Sequence, residues 1–293
     1  MTSMDRGQTL ALMAAHGIRP NRHLGQNFLV DGAAAERIAA LSGAGPDDIA
    51  VEAGPGLGAL TDRLAARVGH VLAVEIDRGL IPALREGLQE RSNVSVVYAD
   101  FLTYDLVGGV APWLRERPES TVHVAANVPY YITTPILRKV LTELPSCLSM
   151  VFLVQKEAAV RLLAKPGSGE YGPLSVCLSA FYDARMAMRV PPHAFYPQPG
   201  VDSVVVQARL RQAGASLPRD IPRAAFLGMV DAAFSHRRKH LFNSMQSSGK
   251  LDLLQVSSLR EILLEMGLKE ACRAEELDAE MYIELYRRLS LCK

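Results

Sequence analysis

The order of apolar and polar positions predicts a chain in which short buried strands alternate with helices. Five apolar runs have the length of strands and few polar interruptions, which is typical of parallel strands covered by helices on both faces. Helical patterns fill the intervals, so the order of elements predicts a doubly wound α/β sheet. The five runs are residues 49–53, 71–75, 94–98, 122–125 and 150–154.

The pattern changes after the fifth run. A helical stretch at residues 174–182 precedes two further strand-like runs, 184–190 and 201–210, which flank a proline-rich loop at 191–200. Two strands joined in this way are expected to form an antiparallel pair at the edge of the sheet. The length of the loop between them is typical of a functional segment.

Only helical patterns follow the last of these strands. We therefore predict two domains: a catalytic sheet domain at residues 1–211 and a small all-helical domain at residues 212–293. Helix-breaking Pro218, Pro222 and Gly267 divide the second domain into several helices.

Composition narrows the class of protein. The 293 residues are 49% hydrophobic and 22% charged, which is ordinary for a globular protein. The first 30 residues have no apolar stretch long enough for a signal sequence or a membrane span. The four cysteines are far apart, which argues against a zinc site or a disulfide framework and favours a reducing cytoplasm. We expect a cytoplasmic protein without a metal, and the net charge of +1 leaves RNA binding open.

A glycine-rich turn at residues 52–58 follows the first predicted strand and precedes an amphipathic helix. Its glycines allow the backbone to approach a ligand closely. Gly54, Gly56 and Ala59 also fit the fingerprint of dinucleotide-binding proteins, so a nicotinamide-dependent oxidoreductase is one alternative. A tight turn without a ligand is the other.

Polar residues at the ends of the following strands favour an adenosyl ligand. Glu75 ends the second strand, and its carboxylate suits two ribose hydroxyls. Asp100, next to Phe101, follows the third strand and can accept from an adenine amino group while the aromatic ring packs on the base. Asp77 is the carboxylate that competes with Glu75 for the ribose, and as the weaker candidate it would instead begin a helix.

The segment after the fourth strand, from Asn127 to Tyr130, is typical of an enzyme that modifies an amino group on adenine. That nitrogen is a poor nucleophile because its lone pair is delocalised into the ring. Two acceptors aimed at its hydrogens, the Asn127 side-chain oxygen and the Pro129 carbonyl, would turn the lone pair towards a methyl donor. Tyr130 can stack on the base. The alternative is a structural turn with a packed tyrosine.

These motifs together resemble the KsgA-type family of small-subunit rRNA adenine N6,N6-dimethyltransferases, and the resemblance covers nearly the whole chain. Val128 replaces the leucine that is commoner in the family, and Tyr131 replaces a frequent asparagine. The motifs are LGQNFL at 24–29, EAGPGLG at 52–58, VEID at 74–77, ADF at 99–101, NVPY at 127–130, QKE at 155–157, YGPLSV at 171–176, FYPQPGVDS at 195–203 and FSHRRK at 234–239.

The resemblance implies a class I methyltransferase that uses S-adenosylmethionine to dimethylate two adjacent adenines near the 3′ end of small-subunit rRNA. It also implies that Phe195 is a second aromatic that stacks on the base. The cofactor contacts that it implies are Asn27, Leu29, Gly54, Glu75, Asp100 and Asn127.

Basic residues are concentrated in two places. Arg237, Arg238 and Lys239 form the densest run and can neutralise several phosphates, while residues 19–23 form a second basic stretch near the predicted cofactor site. Solvated helix faces are the alternative reading for both. The predicted partner is small-subunit rRNA within a pre-ribosomal particle, bound by a monomer.

Two other functions within the same fold stay open from the residues alone. One is the related antibiotic-resistance methyltransferase of large-subunit rRNA, against which the segments at 171–176 and 197–203 argue. The other is a non-catalytic RNA-binding assembly factor, which the intact Asn127, Pro129 and Tyr130 disfavour.

Overall fold

The computed structural model describes residues 5–21, 24–127, 132–211 and 221–292. These residues contain the following strands, in chain order. They are β1 (Phe28–Leu29), β2 (Ile49–Ala53), β3 (His70–Glu75), β4 (Val94–Tyr98), β5 (Val122–Asn127), β6 (Ser149–Gln155), β7 (Tyr182–Val190), β8 (Phe195–Tyr196) and β9 (Ser203–Leu210).

Seven of these strands form one sheet in the described part of the chain, in the order β4-β3-β2-β5-β6-β9-β7. The first five are parallel, and β9 runs antiparallel to β6, with Ser149 opposite Arg209 and Gln155 opposite Ser203. The predicted doubly wound sheet is confirmed, as is the antiparallel edge that follows its parallel strands.

Burial explains why the central strands are recognisable from sequence. Every residue of β2 is buried, and β6 is buried along all of its length except the last residue. Strands covered on both faces need apolar side chains at every position rather than at alternate ones. Glu52 in β2 and Glu75 at the end of β3 are buried acidic exceptions, so both need a physical explanation.

A small second sheet is absent from the sequence prediction. β1 and β8 pair antiparallel, with Phe28 opposite Tyr196 and Leu29 opposite Phe195. The proline-rich loop predicted between β7 and β9 therefore contains a short strand. This pairing fixes the segment before β1 against the loop, and both contribute to the site described below.

The helices of the first unit cover the sheet, and aspartates cap the N-termini of three of them: Asp5, Asp31 and Asp105. The Asp31 carboxylate accepts from the backbone N–H groups of Ala33 and Ala34, and the Asp105 carboxylate accepts from that of Gly108. The helices are α1 (Arg6–Ala15), α2 (Gly32–Leu41), α3 (Ala59–Ala65), α4 (Ile81–Gly87), α5 (Leu106–Glu116) and α6 (Thr133–Glu143). A further helix, α7 (Lys156–Leu162), begins in the first unit and ends in the second.

The helices of the second unit pack around an aromatic core. The Phe226 ring lies edge-on to Phe181 and Tyr286, with centroids 5.3 and 5.9 Å away, and Phe234 stacks on Tyr282. No helix in the described residues is long and apolar enough to cross a bilayer. These helices are α8 (Pro173–Phe181), α9 (Arg223–Phe234), α10 (Leu241–Ser247), α11 (Leu253–Glu265) and α12 (Ala279–Leu291).

The boundaries of the two compact units differ from the predicted division in one segment. The first unit consists of Met1–Ala159 and Arg185–Leu210, and the second of Val160–Ala184 and Arg211–Lys293. The predicted boundary between residues 211 and 212 lies one residue from the observed one. Residues 160–184 belong with the C-terminal helices because α8 packs on α9 and α12.

Candidate active site

A cleft opens at the carboxyl ends of β2, β3 and β5, where open α/β sheets bind their ligands. Its walls include residues 24–29, the glycine turn after β2, and Phe195 in β8. Three polar side chains reach it from the strands: Glu52, Glu75 and Asn127. The fold thus brings together side chains that are far apart in the sequence.

The glycine turn leaves backbone exposed to the cleft. Gly54 has a φ of +66° and Gly56 a φ of +60°. This left-handed backbone conformation is rare for residues that carry a Cβ atom. A Cβ atom added to Gly54 would meet no atom within 4 Å, whereas one on Gly56 would lie 3.1 Å from the Phe28 ring. The space in front of Gly54 is therefore open to a ligand, and Gly56 is required for packing as well as for the turn.

Glu75 is buried beside this turn, with an exposed fraction of 4%. Its Oε2 accepts from the Gly56 N–H at 2.9 Å, and its Oε1 accepts from the Asp77 N–H at 2.8 Å. Burial raises the pKa of this carboxyl, and the two backbone hydrogen bonds oppose the rise. Each carboxylate oxygen has a second lone pair, so the pair can still accept from two hydroxyls of a ligand.

Asp77 has a different role in this structure. Its Oδ2 accepts from the Gln26 side-chain amide at 2.7 Å, and its Oδ1 accepts from the Gly79 N–H at 2.9 Å. The carboxylate therefore ties the segment before β1 to the end of β3. Of the two candidate carboxylates, this geometry favours Glu75 as the ligand-binding one, because Glu75 lines the cleft and Asp77 holds one of its walls.

Glu52 lines the cleft as well, although it is not among the predicted site residues. It is 1% exposed, and no hydrogen-bond partner reaches its Oε2 among the residues that the structure describes. Burial raises the pKa of its carboxyl to about 8, and the neighbouring Glu75 carboxylate adds to the rise. The feature of the sequence that could have identified Glu52 is its position as an acidic residue inside an otherwise apolar strand, directly before the glycine turn.

Replacing Glu52 by glutamine should stabilise the ligand-free protein at alkaline pH. The carboxyl of Glu52 ionises near pH 4.5 in the unfolded chain but only near pH 8 in the folded protein. The contribution of protonated Glu52 to the free energy of unfolding is therefore fully present below pH 4.5 and is lost as pH rises through 8. At pH 8 we expect Glu52→Gln to raise the free energy of unfolding by on the order of 4 kcal/mol. Urea unfolding at pH 5 and pH 8 checks this, and an equal pH dependence in parent and variant contradicts it.

Asn127 links β5 to the segment before β1. Its Nδ2 donates to the Asn27 carbonyl at 3.2 Å, while the Asn27 side chain donates to the Gly25 carbonyl at 3.1 Å. An amide whose nitrogen is engaged in this way has its orientation fixed, and Oδ1 is its acceptor atom. The structure thus places a directed acceptor at the cleft, next to the backbone of the predicted cofactor residue Asn27.

Phe195 also reaches the cleft, but it is only 2% exposed. Its strand partner is Leu29, and both side chains belong to the core of the first unit. The next residue, Tyr196, is 37% exposed. The predicted stacking of Phe195 on a base therefore requires that the ligand reach a ring that forms part of the cleft wall.

Five of the six predicted cofactor residues line the cleft, and the sixth, Asp100, lies outside this lining. Asp100 follows β4, where its Oδ1 accepts from the Leu102 N–H at 2.9 Å. Pro129 and Tyr130 lie outside the described residues. Among the residues that are described, no group of three or more His, Cys, Asp or Glu side chains could hold a metal ion. The five that line the cleft are Asn27, Leu29, Gly54, Glu75 and Asn127.

The basic run lies in the second unit, in the turn between α9 and α10 rather than on a helix face. All three side chains are exposed. Arg237 donates to the Gly169 carbonyl at 2.8 Å, and the Lys239 Nζ lies 3.4 Å from the Ser247 hydroxyl. Arg238 extends from the same turn. In the other basic stretch, Arg19 is exposed, and residues 22 and 23 lie outside the described part of the chain.

Comparison with known proteins identifies the family of this chain. The sequence model of the ribosomal RNA adenine dimethylase family matches residues 17–285, which is most of the chain. The chain belongs to this family. One curated relative, the ribosomal RNA small subunit methyltransferase A of Pelotomaculum thermopropionicum, is 46% identical over 241 residues, or 81% of each chain.

Two solved methyltransferase structures have the same fold as this chain. A dimethyladenosine transferase from Plasmodium falciparum superposes with a TM-score of 0.72 at 21% identity, covering 90% of this chain and 98% of that one. The 23S rRNA methyltransferase ErmE superposes with a TM-score of 0.60 at 28% identity, covering 90% of this chain and all of its own. The predicted class I methyltransferase fold is thereby confirmed.

Proposed function

We propose that this protein transfers methyl groups from S-adenosylmethionine to the amino groups of two adjacent adenines near the 3′ end of small-subunit rRNA, two to each adenine. The observation that carries the proposal is Asn127, whose amide is oriented by the Asn27 carbonyl at the edge of a cleft that also holds Glu75. Family membership and the name of the Pelotomaculum relative support the substrate.

The cleft residues fit S-adenosylmethionine. Glu75 has the acceptor lone pairs that two ribose hydroxyls require, and the open space at Gly54 admits the ligand close to the backbone. The ligand carries a positive charge, and the cleft contains two buried carboxyl groups, Glu52 and Glu75. A buried carboxyl with one oxygen that no described residue reaches, such as Glu52, is explained when a cationic group lies beside it.

The residues of the chain act mainly by positioning. S-adenosylmethionine, when bound, supplies an electrophilic methyl group on a positively charged sulfur. Asn127 Oδ1 accepts one hydrogen of the adenine amino group, and we assign the second acceptor to the Pro129 carbonyl. Tyr130 and Phe195 hold the base by stacking. Holding donor and acceptor in line can lower the barrier by about 7 to 11 kcal/mol without a dedicated base.

The substrate assignment favours the small subunit over the large one. Identity to the small-subunit relative is 46%, against 28% to the 23S rRNA enzyme. We further propose that the substrate is a pre-ribosomal particle in the cytoplasm, that the protein acts as a monomer, and that residues 212–293 bind the rRNA. Arg237, Arg238 and Lys239 supply the phosphate contacts, because they are exposed cations on one turn.

The basic run yields a prediction that separates RNA docking from catalysis. Changing all three residues to alanine should weaken rRNA binding and flatten its salt dependence, since each lost phosphate contact removes about 0.7 to 0.9 units of log–log slope. Lys250→Ala is the matched control, because Lys250 is an exposed lysine of the same unit that pairs with Asp231. A salt titration measures both. An unchanged slope in the triple variant assigns docking elsewhere, most directly to residues 19–23.

The proposed reaction is tested with purified components. Small subunits from cells that lack this protein are incubated with it and S-adenosylmethionine, and the rRNA nucleosides are then identified by mass spectrometry. The proposal predicts N6,N6-dimethyladenosine in small-subunit rRNA and none in large-subunit rRNA treated in parallel. Methylation of large-subunit rRNA alone, or of neither, contradicts it.

A further inference from the structure

The second unit carries a surface pocket, the α10–α11 pocket, that the proposed methyl transfer does not use. Its apolar lining consists of Leu263, Leu264 and Leu268, at the end of α11 and just after it. Phe242, in the first turn of α10, adds a half-buried aromatic ring. An apolar lining with one aromatic ring and a few polar groups is typical of a ligand site.

Two polar residues of the pocket are paired with each other. The Arg260 guanidinium lies 2.8 Å from the Glu270 carboxylate, and its central carbon lies 5.0 Å from the centre of the Phe242 ring. The ion pair compensates the one negative charge in the lining. Planar guanidinium and aromatic groups are the surfaces on which unstacked bases of RNA pack.

Asn243 supplies hydrogen-bonding groups that the protein itself does not use. It lines the pocket and is exposed, and its backbone carbonyl accepts from the Ser247 hydroxyl. Its side-chain amide makes no hydrogen bond with any described residue. One acceptor and two donors in a plane match the edge of a nucleobase, as they do when asparagine reads adenine.

The basic run continues directly into this pocket. His240, the residue after Lys239, lines the pocket and precedes the first turn of α10. Exposed Arg238 and Lys239 therefore offer phosphate contacts two residues and one residue, respectively, before the lining begins. Cations beside a pocket that holds an aromatic ring and an amide suit single-stranded RNA, because phosphates can bind the cations while a base enters the pocket.

We propose that the α10–α11 pocket binds one unpaired nucleotide of small-subunit rRNA, other than the adenines that are methylated. This inference rests on the proposed function, because it takes the rRNA as the ligand. It assigns the helical unit a contact with a base in addition to its contacts with phosphates. The base stacks against Phe242 and Arg260, and Asn243 binds its edge.

The test compares full-length variants in binding to protein-free small-subunit rRNA from cells that lack this protein. Phe242→Ala and Asn243→Ala should each raise the dissociation constant about tenfold, as the loss of one base contact does, with the salt slope unchanged. Gln246→Ala is the matched control, because Gln246 is an exposed amide on the same helix outside the pocket lining. It should bind like the parent.

Two results overturn the pocket assignment. One is an unchanged rRNA affinity in Asn243→Ala. The Asn243 side chain is exposed, so its removal does not disturb the packing of the helices. The other is an effect seen on intact subunits but not on protein-free rRNA, which assigns the pocket to a ribosomal protein. Methyl transfer by the unmutated protein to intact small subunits is measured alongside. If that protein neither binds the rRNA nor methylates the subunits, the proposed function fails. If it methylates the subunits and the pocket variants bind rRNA as tightly as it does, only the pocket assignment is refuted.

Discussion

Asn127→Ala should abolish detectable methyl transfer while the fold survives. The substitution removes the acceptor that turns the adenine lone pair towards the methyl group, and the loss of one such directed hydrogen bond costs about 100- to 1000-fold in kcat. Asn127 is also a predicted cofactor contact, so turnover is measured at saturating S-adenosylmethionine. This condition separates the chemical step from weaker binding of the donor.

Asn127→Asp is the matched comparison, since it keeps the acceptor oxygens and loses the donor that binds the Asn27 carbonyl. We expect it to retain part of the activity that the alanine variant loses. Turnover of Asn127→Ala close to that of the parent contradicts the mechanism, because it would show that the Asn127 acceptor does not direct the amino group.

Glu75→Ala should weaken S-adenosylmethionine binding by about 1.5 to 3 kcal/mol, the range for losing hydrogen bonds to a charged group. Titration calorimetry measures the change directly. Asp77→Asn is the control, because asparagine can still accept from the Gln26 amide at the same position. The control should bind the cofactor nearly as the parent does.

If Glu75→Ala binds S-adenosylmethionine as tightly as the unmutated protein and Asp77→Asn binds it more weakly, the ribose contact belongs to Asp77. If neither variant binds S-adenosylmethionine more weakly, the cofactor does not bind at this edge of the sheet. Glu75→Gln serves as a second variant where the alanine substitution leaves a cavity, because it keeps the size of the buried side chain and one acceptor oxygen.

The parallel strands were predictable because their burial dictates their composition. β2 and β4 have the predicted bounds, and the other strands of the sheet differ by a few residues at their ends. The two-residue strands β1 and β8 could not be predicted, since they are too short to show a period. Their pairing also depends on bringing Leu29 and Phe195 together from distant parts of the chain.

The candidate site was predictable to the extent that its residues lie at strand ends. Gly54, Glu75 and Asn127 meet because the carboxyl ends of parallel strands share one edge of the sheet. The burial of Glu52 and the bond between Gln26 and Asp77 could not be inferred in the same way. Both depend on three-dimensional neighbours that have no regular spacing in the sequence.

The most direct measurement of the central claim is the mass of the 3′-terminal fragment of small-subunit rRNA from cells that lack this protein. The fragment should be lighter than the parental one by two methyl groups on each of two adjacent adenines. Reintroducing the parent gene should restore the mass, and the Asn127→Ala gene should not. A fully methylated fragment in the cells that lack the protein would contradict the account.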